Sequence, residues 1–284
     1  MHELINGILL GGLYAAVALG LTLVFGVMRL VNLAHGELLV GAAYVSYAIT
    51  SHTGLDPLLS LTLVVPAVAL AAYPIQRLIL NPLVTHGLEP PLVATFGLSI
   101  VAQTAFVLIF TSDAKSLNAS YAVTGVNILG ETVPQVYVIS LGIGVALVAL
   151  LHLGLTRLRF GKALRAAAED AEAAATLGID VKHVYAATFA LAAALAAVGG
   201  VLIGVTFSLT PTTGTSWLLR GFTVIVLGGM GSVWGTLAGG VVVGIAEQLG
   251  ATWFGPQYHD LVVFSLLVIV LVLRPQGLFG RRLT

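Results

Sequence analysis

The feature that most constrains this chain is the length of its uncharged runs. Residues 57–76, 134–155, 184–208 and 259–273 are apolar and contain no Lys, Arg, Asp or Glu except Asp260. A helix needs about 20 apolar residues to cross a bilayer, so these runs predict transmembrane helices. Only 8% of the 284 residues are charged, against about 25% in a soluble globular domain. Lipid is therefore the expected solvent. Glycine, at 33 residues, suits the close backbone approach that helices make in lipid. The chain has no cysteine, which excludes disulfides and thiolate-dependent zinc or iron–sulfur sites. Zero formal net charge leaves no basic patch for nucleic acid.

The expected fold is all-α, with residues 1–284 forming a single transmembrane domain. It is a polytopic bundle of about eight or nine spans, some short or broken. Spans are expected near 4–28, 33–50, 57–80, 91–112, 134–155, 184–208, 217–230, 235–254 and 258–273. The first of these is read as retained, because only His2 and Glu3 precede it where a signal peptide would carry positive charge. Pro57, Pro91 and Pro134 sit at span starts, where a missing N–H costs little. Pro66 and Pro74 fall inside a span and are expected to kink it.

Lys and Arg placement sets the orientation. With nine spans, Arg29, Arg77, Arg157, Arg159, Lys162, Arg165, Lys182, Arg274, Arg281 and Arg282 fall on one side, against Lys115 and Arg220 on the other. That bias puts the 156–183 loop and the C-terminus in the cytoplasm and the N-terminus outside. Two glycine-rich stretches look alike. Thr22–Met28 followed by Leu33-Ala34-His35-Gly36 resembles Thr223–Met230 followed by Leu237-Ala238-Gly239-Gly240. They read either as an internal repeat of the kind transporters contain or as chance among small apolar residues.

The cytoplasmic loop holds the most informative segment. Eight of residues 161–177 are alanine, the strongest helix former. Arg165 and Glu169 stand four apart, where they could pair on one helix face. Gly178 is placed to end the helix in the left-handed conformation. A short helix outside the membrane, with a charged side and a small-residue side, is expected over this loop.

Polar residues inside apolar spans are candidate pathway residues. Asn32, His35 and Glu37 open a short span. Asn32 and His35 share a helical face, whereas Glu37 lies about 200° round from His35. Thr95, Ser99 and Gln103 recur every four residues as one stripe. Each group reads either as lining for a wet cavity or as hydrogen-bonding glue between helices. Gly7/Gly11, Gly200/Gly204, Gly240/Gly244 and the run Gly231, Gly235, Gly239 read as helix crossings. Arg220 reads as an interfacial anchor or a contact for an outside partner.

No phosphate-cradling G-x-x-x-x-G-K-[ST] sequence is present, so the chain has no such route to hydrolyse ATP itself. His35, His86, His152, His183 and His259 are scattered without metal-ligand spacing. No nucleophile–base–acid set is visible. Catalytic, cofactor-binding and metal residues are accordingly expected to be absent, and the chain is not read as an enzyme.

Glu172-Ala173-Ala174-Ala175-Thr176-Leu177-Gly178 resembles the EAA-x-x-x-G signature of bacterial ABC import permeases. In that family the signature helix couples transport to the ATPase. The order Asn32-Leu-Ala-His35-Gly36-Glu37, then Ala168–Ile179, then Val226–Val233, then Arg274-Pro-Gln-Gly277-Leu-Phe-Gly280 is similar across the whole chain to the shorter permease of branched-chain amino acid ABC importers. The resemblance implies a heterodimer with a second permease, two ATP-binding subunits that hydrolyse ATP, an extracytoplasmic solute-binding protein, and a bacterial or archaeal inner membrane. It implies branched-chain or related amino acids as substrate, and Arg165, Glu169, Asp170, Glu172, Ala173, Ala174 and Gly178 as the docking helix. Relatives of the superfamily that carry urea, amides, aromatic acids or sugars leave an alternative substrate open. An ion-coupled secondary transporter would use Glu37 and Glu247 as carriers but leaves the alanine-rich helix unexplained.

Overall fold

The computed structural model describes residues 2–84, 86–87, 89–128 and 130–274. The expected C-terminal signature beyond Arg274, with Arg281 and Arg282, lies outside the described residues.

The chain is a helical bundle in which each expected span is a helix. In order these are α1 (His2–Met28), α2 (His35–Thr53) and α3 (Pro57–Pro74). Helix α3 continues through a π-helical turn, Ile75–Leu80, into α4 (Asn81–Val84). Next come α5 (Glu89–Phe110), the single turn α6 (Ser120–Val123) and α7 (Gln135–Arg157). The loop helices α8 (Arg159–Glu169) and α9 (Ala171–Thr176) follow, then α10 (Val181–Thr206), α11 (Thr213–Gly228), α12 (Val233–Phe254) and α13 (His259–Leu273). Six helical segments are long and apolar enough to cross a membrane: α1, α3 with its π turn and α4, α5, α7, α10 and α12. This is a multi-pass membrane protein. One departure from an all-α chain is a hairpin of β1 (Gly125–Ile128) and β2 (Glu131–Pro134), antiparallel, with Val126 opposite Val133.

Local chemistry sets the helix ends. Asp56 caps α3 by accepting from the Leu58 N–H at 2.8 Å, with Pro57 at the first helical position. Ser232 caps α12 by accepting from the Gly235 N–H at 3.1 Å. Each cap satisfies a backbone donor that the helix itself leaves free. Pro74 is followed by the π turn rather than by an end of the helix, since proline lacks a donor and its ring crowds the preceding turn.

Helices α1 and α10 form the centre and are buried along most of their length. Helices α3, α5 and α7 turn large apolar side chains outward, among them Leu70, Val93, Leu108 and Leu150. Such a surface suits lipid, while every backbone bond is kept inside a helix. Glycine lets α1 and α12 touch backbone to backbone. A β-carbon on Gly11 would fall 2.5 Å from the Val241 Cα, and one on Gly240 would fall 2.5 Å from the Gly11 carbonyl oxygen. The expected crossings Gly7/Gly11 and Gly240/Gly244 thus meet each other.

Helix α2 begins beside the middle of α1, not at its end. His35 donates from Nε2 to the Val17 carbonyl oxygen at 3.0 Å. The linker between the two helices therefore doubles back along α1 before α2 starts. The first turns of α2 and α11 then cross: a β-carbon on Gly36 would lie 2.0 Å from the Gly214 carbonyl oxygen. The two similar glycine-rich stretches are each a helix end, a break and a helix start (α1–α2 and α11–α12). They touch where the Thr22 and Thr236 hydroxyls lie 2.6 Å apart.

Candidate functional site

Two places bring the expected residues together. The first is the crossing of α2, α5 and α11. The short α2 start carries Glu37 away from α1 and towards α5, as the angular offset from His35 requires. Ser99 donates to Glu37 Oε1 at 3.1 Å and Gln103 Nε2 donates to the same oxygen at 2.8 Å. Gln103 also reaches the Thr215 hydroxyl at 3.4 Å. Gly214 leaves the carboxylate room: a β-carbon there would lie 2.7 Å from Glu37 Oε1. Glu37 Oε2 is buried and accepts no hydrogen bond.

The stripe on α5 thus faces the α2 region along its length. Thr95 donates to the Leu92 carbonyl oxygen at 2.9 Å and accepts from the Leu33 N–H at 3.3 Å. Asn32 folds onto its own turn, its Oδ1 accepting from the Ala34 N–H at 3.0 Å. Its amide nitrogen is without a partner, as is His35 Nδ1. Asn32 and His35 therefore belong to the bend between α1 and α2, whereas Glu37, Ser99 and Gln103 form one bonded cluster. Beside that cluster is a 310 Å³ cavity walled by residues of α2, α3, the π turn and α5, including Glu37.

The second place is the loop after α7. The single helix expected over 161–177 is two. The break is at Asp170, whose backbone is extended (φ −150°, ψ 107°). Its carboxylate instead caps α9, accepting from the Glu172 and Ala173 N–H groups at 2.9 Å each. An aspartate competes with the helix for backbone donors and favours a cap over a helix interior. Arg165 and Glu169 are exposed on α8 and form no ion pair with each other. The inward face of α8 is Gly161, Leu164 and Ala167. On α9, Ala174 is buried, while Glu172, Ala173, Thr176 and the following Leu177 face out, Leu177 at 80% exposure. Gly178 has φ +85° and nothing within 4 Å of where a β-carbon would be. It closes the helix end, with its N–H bonded to the Ala175 carbonyl oxygen and the Ile179 N–H to that of Ala174.

From Gly178 the chain enters α10 through a latch. Asp180 accepts from the His183 N–H at 2.9 Å and lies 3.6 Å from Arg77. The backbone bond from His183, aided by Arg77, holds this carboxyl below its usual range. Asn81 Nδ2 donates to the Lys182 carbonyl oxygen at 2.8 Å, and Tyr73 hydrogen-bonds His183 Nδ1 at 2.8 Å. The exit of α9 is thereby tied to the π turn of the α3 segment.

Sequence reasoning missed one cluster. Arg220 is not a snorkelling anchor: it is buried, pairs with Asp260 and lies 4.9 Å above the Trp217 ring. Tyr14 donates to Glu247 close by. The signal available was four polar side chains in otherwise apolar helices, but they are more than 200 residues apart at the extremes, and spacing cannot pair them.

Comparison with known proteins places the chain. The family model described as branched-chain amino acid transport system / permease component matches residues 3–271. The high-affinity branched-chain amino acid transport system permease protein BraD of Pseudomonas aeruginosa is 38% identical, covering 99% of this chain and 96% of that protein. LivH of Escherichia coli K12, of the same description, is 33% identical over the same shares. LivM of Escherichia coli K12 is 27% identical over 44% of this chain and 29% of its own length. No solved structure matches. These relatives are transport permease components, not enzymes. With a helical bundle that exposes apolar side chains to lipid and a match along nearly its whole length, the chain belongs to the branched-chain amino acid transport permease family.

Proposed function

We propose that this chain is one permease of an ATP-driven importer in a prokaryotic inner membrane, carrying branched-chain amino acids handed over by an extracytoplasmic binding protein. The observation that carries this reading is near end-to-end similarity to BraD and LivH at 33–38% identity. The partial likeness to LivM supports pairing with a second, related permease. ATP is hydrolysed by two partner subunits, and no cofactor is bound by this chain. The reading keeps eight or nine crossings by counting the shorter helices α2, α11 and α13 with the six long ones, so the 156–183 loop and the C-terminus are cytoplasmic and the N-terminus is outside.

In this reading the α8–α9 elbow is the ATPase-docking element. Its outward residues Arg165, Glu169, Asp170, Glu172 and Ala173 offer small side chains flanked by charge, Ala174 anchors it inward, and Gly178 returns the chain to α10. The latch at Asp180 and Asn81 gives its movement a path into the membrane. Asn32, His35, Glu37, Thr95, Ser99 and Gln103 border the transit route. The test is uptake into proteoliposomes holding the whole complex. Leucine, isoleucine or valine should enter only with ATP and binding protein together. Uptake by this chain alone on an ion gradient, or uptake of fructose in place of amino acids, would overturn the reading.

A further inference from the structure

We infer that the cavity beside Glu37 is a transit site for a primary ammonium carrying a branched aliphatic group, with the Glu37 carboxylate as its counter-ion. This rests on the proposed import of branched-chain amino acids and names the part of the molecule that would recognise them.

Glu37 is 4% exposed, and one of its two carboxylate oxygens accepts nothing. Ser99 and Gln103 both bond the other oxygen. Among the described residues no cation of the chain pairs with it. A buried carboxylate with half its acceptor capacity idle is held at a cost, and an unsatisfied buried group points to a missing partner such as an ion or ligand. Helix packing alone does not supply that partner, because His35, two residues away, is turned to the Val17 carbonyl oxygen on α1.

The cavity supplies the rest of the recognition. Glu37 is the only charged residue on its wall, which otherwise includes Leu38, Val45, Val68, Ile75, Leu98 and Phe106. An ionisable group within a membrane bundle faces its interior or a hydrated path, not lipid. One negative charge on an apolar wall selects a cation with an apolar body. A volume of 310 Å³ is at the low end of small-molecule sites, which run from about 300 to 1,000 Å³, so the occupant is the size of one amino acid rather than a peptide. Ser99 and Gln103 act as positioning residues, fixing one carboxylate oxygen and leaving the other to the ligand.

The experiment uses the complete importer in proteoliposomes, with leucine and valine as probes. Glu37→Gln keeps the size of the side chain and removes the charge. The expected result is a tenfold or greater loss of uptake, with ATPase stimulation by loaded binding protein retained and partial recovery in Glu37→Asp. Ala71→Leu narrows the cavity from the exposed end of its opposite wall and leaves the carboxylate intact. It should lower leucine uptake several-fold more than valine uptake. Parental uptake in Glu37→Gln, or loss of ATPase stimulation along with uptake, would overturn the site, the second outcome making Glu37 structural. An equal effect of Ala71→Leu on both substrates would also count against it. A parental complex that imports only solutes without an ammonium group would sink the functional reading and this site together, whereas normal amino acid import with an indifferent Glu37→Gln sinks the site alone.

Discussion

Arg220 on α11 and Asp260 on α13 meet at 2.6 Å, the guanidinium nearly buried and the carboxylate partly in solvent. The pair joins the last helix of the described chain to the core, and Trp217 underlies the guanidinium. Removing one partner leaves a charge without its bond, which is worse than removing both. Asp260→Asn should lower stability by about 1.5–3 kcal/mol, the usual worth of a charge-assisted hydrogen bond, towards the lower end because solvent reaches the carboxylate. The double variant Arg220→Met/Asp260→Leu should recover part of that loss. Thermal unfolding of the detergent-solubilised protein measures both, and a double variant worse than the sum of the single ones contradicts the pairing.

The glycine seam between α1 and α12 makes an equally direct prediction. Gly240→Val drives a branched side chain into the Gly11 carbonyl oxygen and the Ala15 backbone. Overpacking of this kind costs about 1–3 kcal/mol and occasionally more, and two backbones cannot yield as a side chain can. Gly142, on α7, has open space where a β-carbon would be, so Gly142→Ala should be neutral or stabilising by about 0.5–1 kcal/mol. Melting temperatures of the two variants should move in opposite directions or differ by several degrees.

At Gly178 only the backbone objects. With φ +85° and no neighbour within 4 Å, Gly178→Asn should be tolerated, because asparagine visits the left-handed region. Gly178→Val should cost about 1–2 kcal/mol locally and disturb the return of the chain to α10. The expected outcome is normal membrane insertion, weakened ATPase co-purification and reduced stimulation by loaded binding protein for valine but not asparagine. Ala173→Glu, on the outward side, should share the valine phenotype. Parental transport by both Gly178→Val and Ala173→Glu would remove α9 from the coupling machinery.

The cap at Asp180 gives a pH-dependent prediction. Folding lowers this pKa, so the contribution of the ionised carboxylate is complete above the ordinary aspartate value of about 3.9 and is lost as pH falls through the lowered value. Asp180→Asn keeps a good cap but loses the pair with Arg77. It should match the parental protein at the acid end and fall slightly below it at neutral pH. Asp180→Ala should be the less stable of the two at every pH. Unfolding midpoints across the acid range would show it, and a pH-independent gap between parental protein and Asp180→Asn would contradict the linkage.

Where the chemistry is local, the sequence is legible. Asp56 and Pro57 announce the start of α3, and Gly178 marks a left-handed helix end whose neighbours decide its conformation within a few residues. The α8–α9 break at Asp170 was hidden by the surrounding alanines, because helix propensity summed over the loop outweighs one capping side chain. The hairpin at 125–134 was hidden because each strand has only four residues, too few for an alternating pattern to register.

By itself the sequence determines that the chain lives in lipid, that nine apolar segments become helices, and which family it joins. Those follow from run length, charge content and motif order, and all of them are read along the chain. The tertiary structure alone decides that α2 starts beside the middle of α1, that Glu37 rests between Ser99, Gln103 and Gly214, and that Arg220 is buried against Asp260. In an apolar bundle many helix faces are almost equally hydrophobic, so periodicity does not say which face meets which. Glycine contacts such as Gly11–Gly240 and Gly36–Gly214 make that choice, because only there can two backbones come close enough to bring distant polar side chains within hydrogen-bond reach.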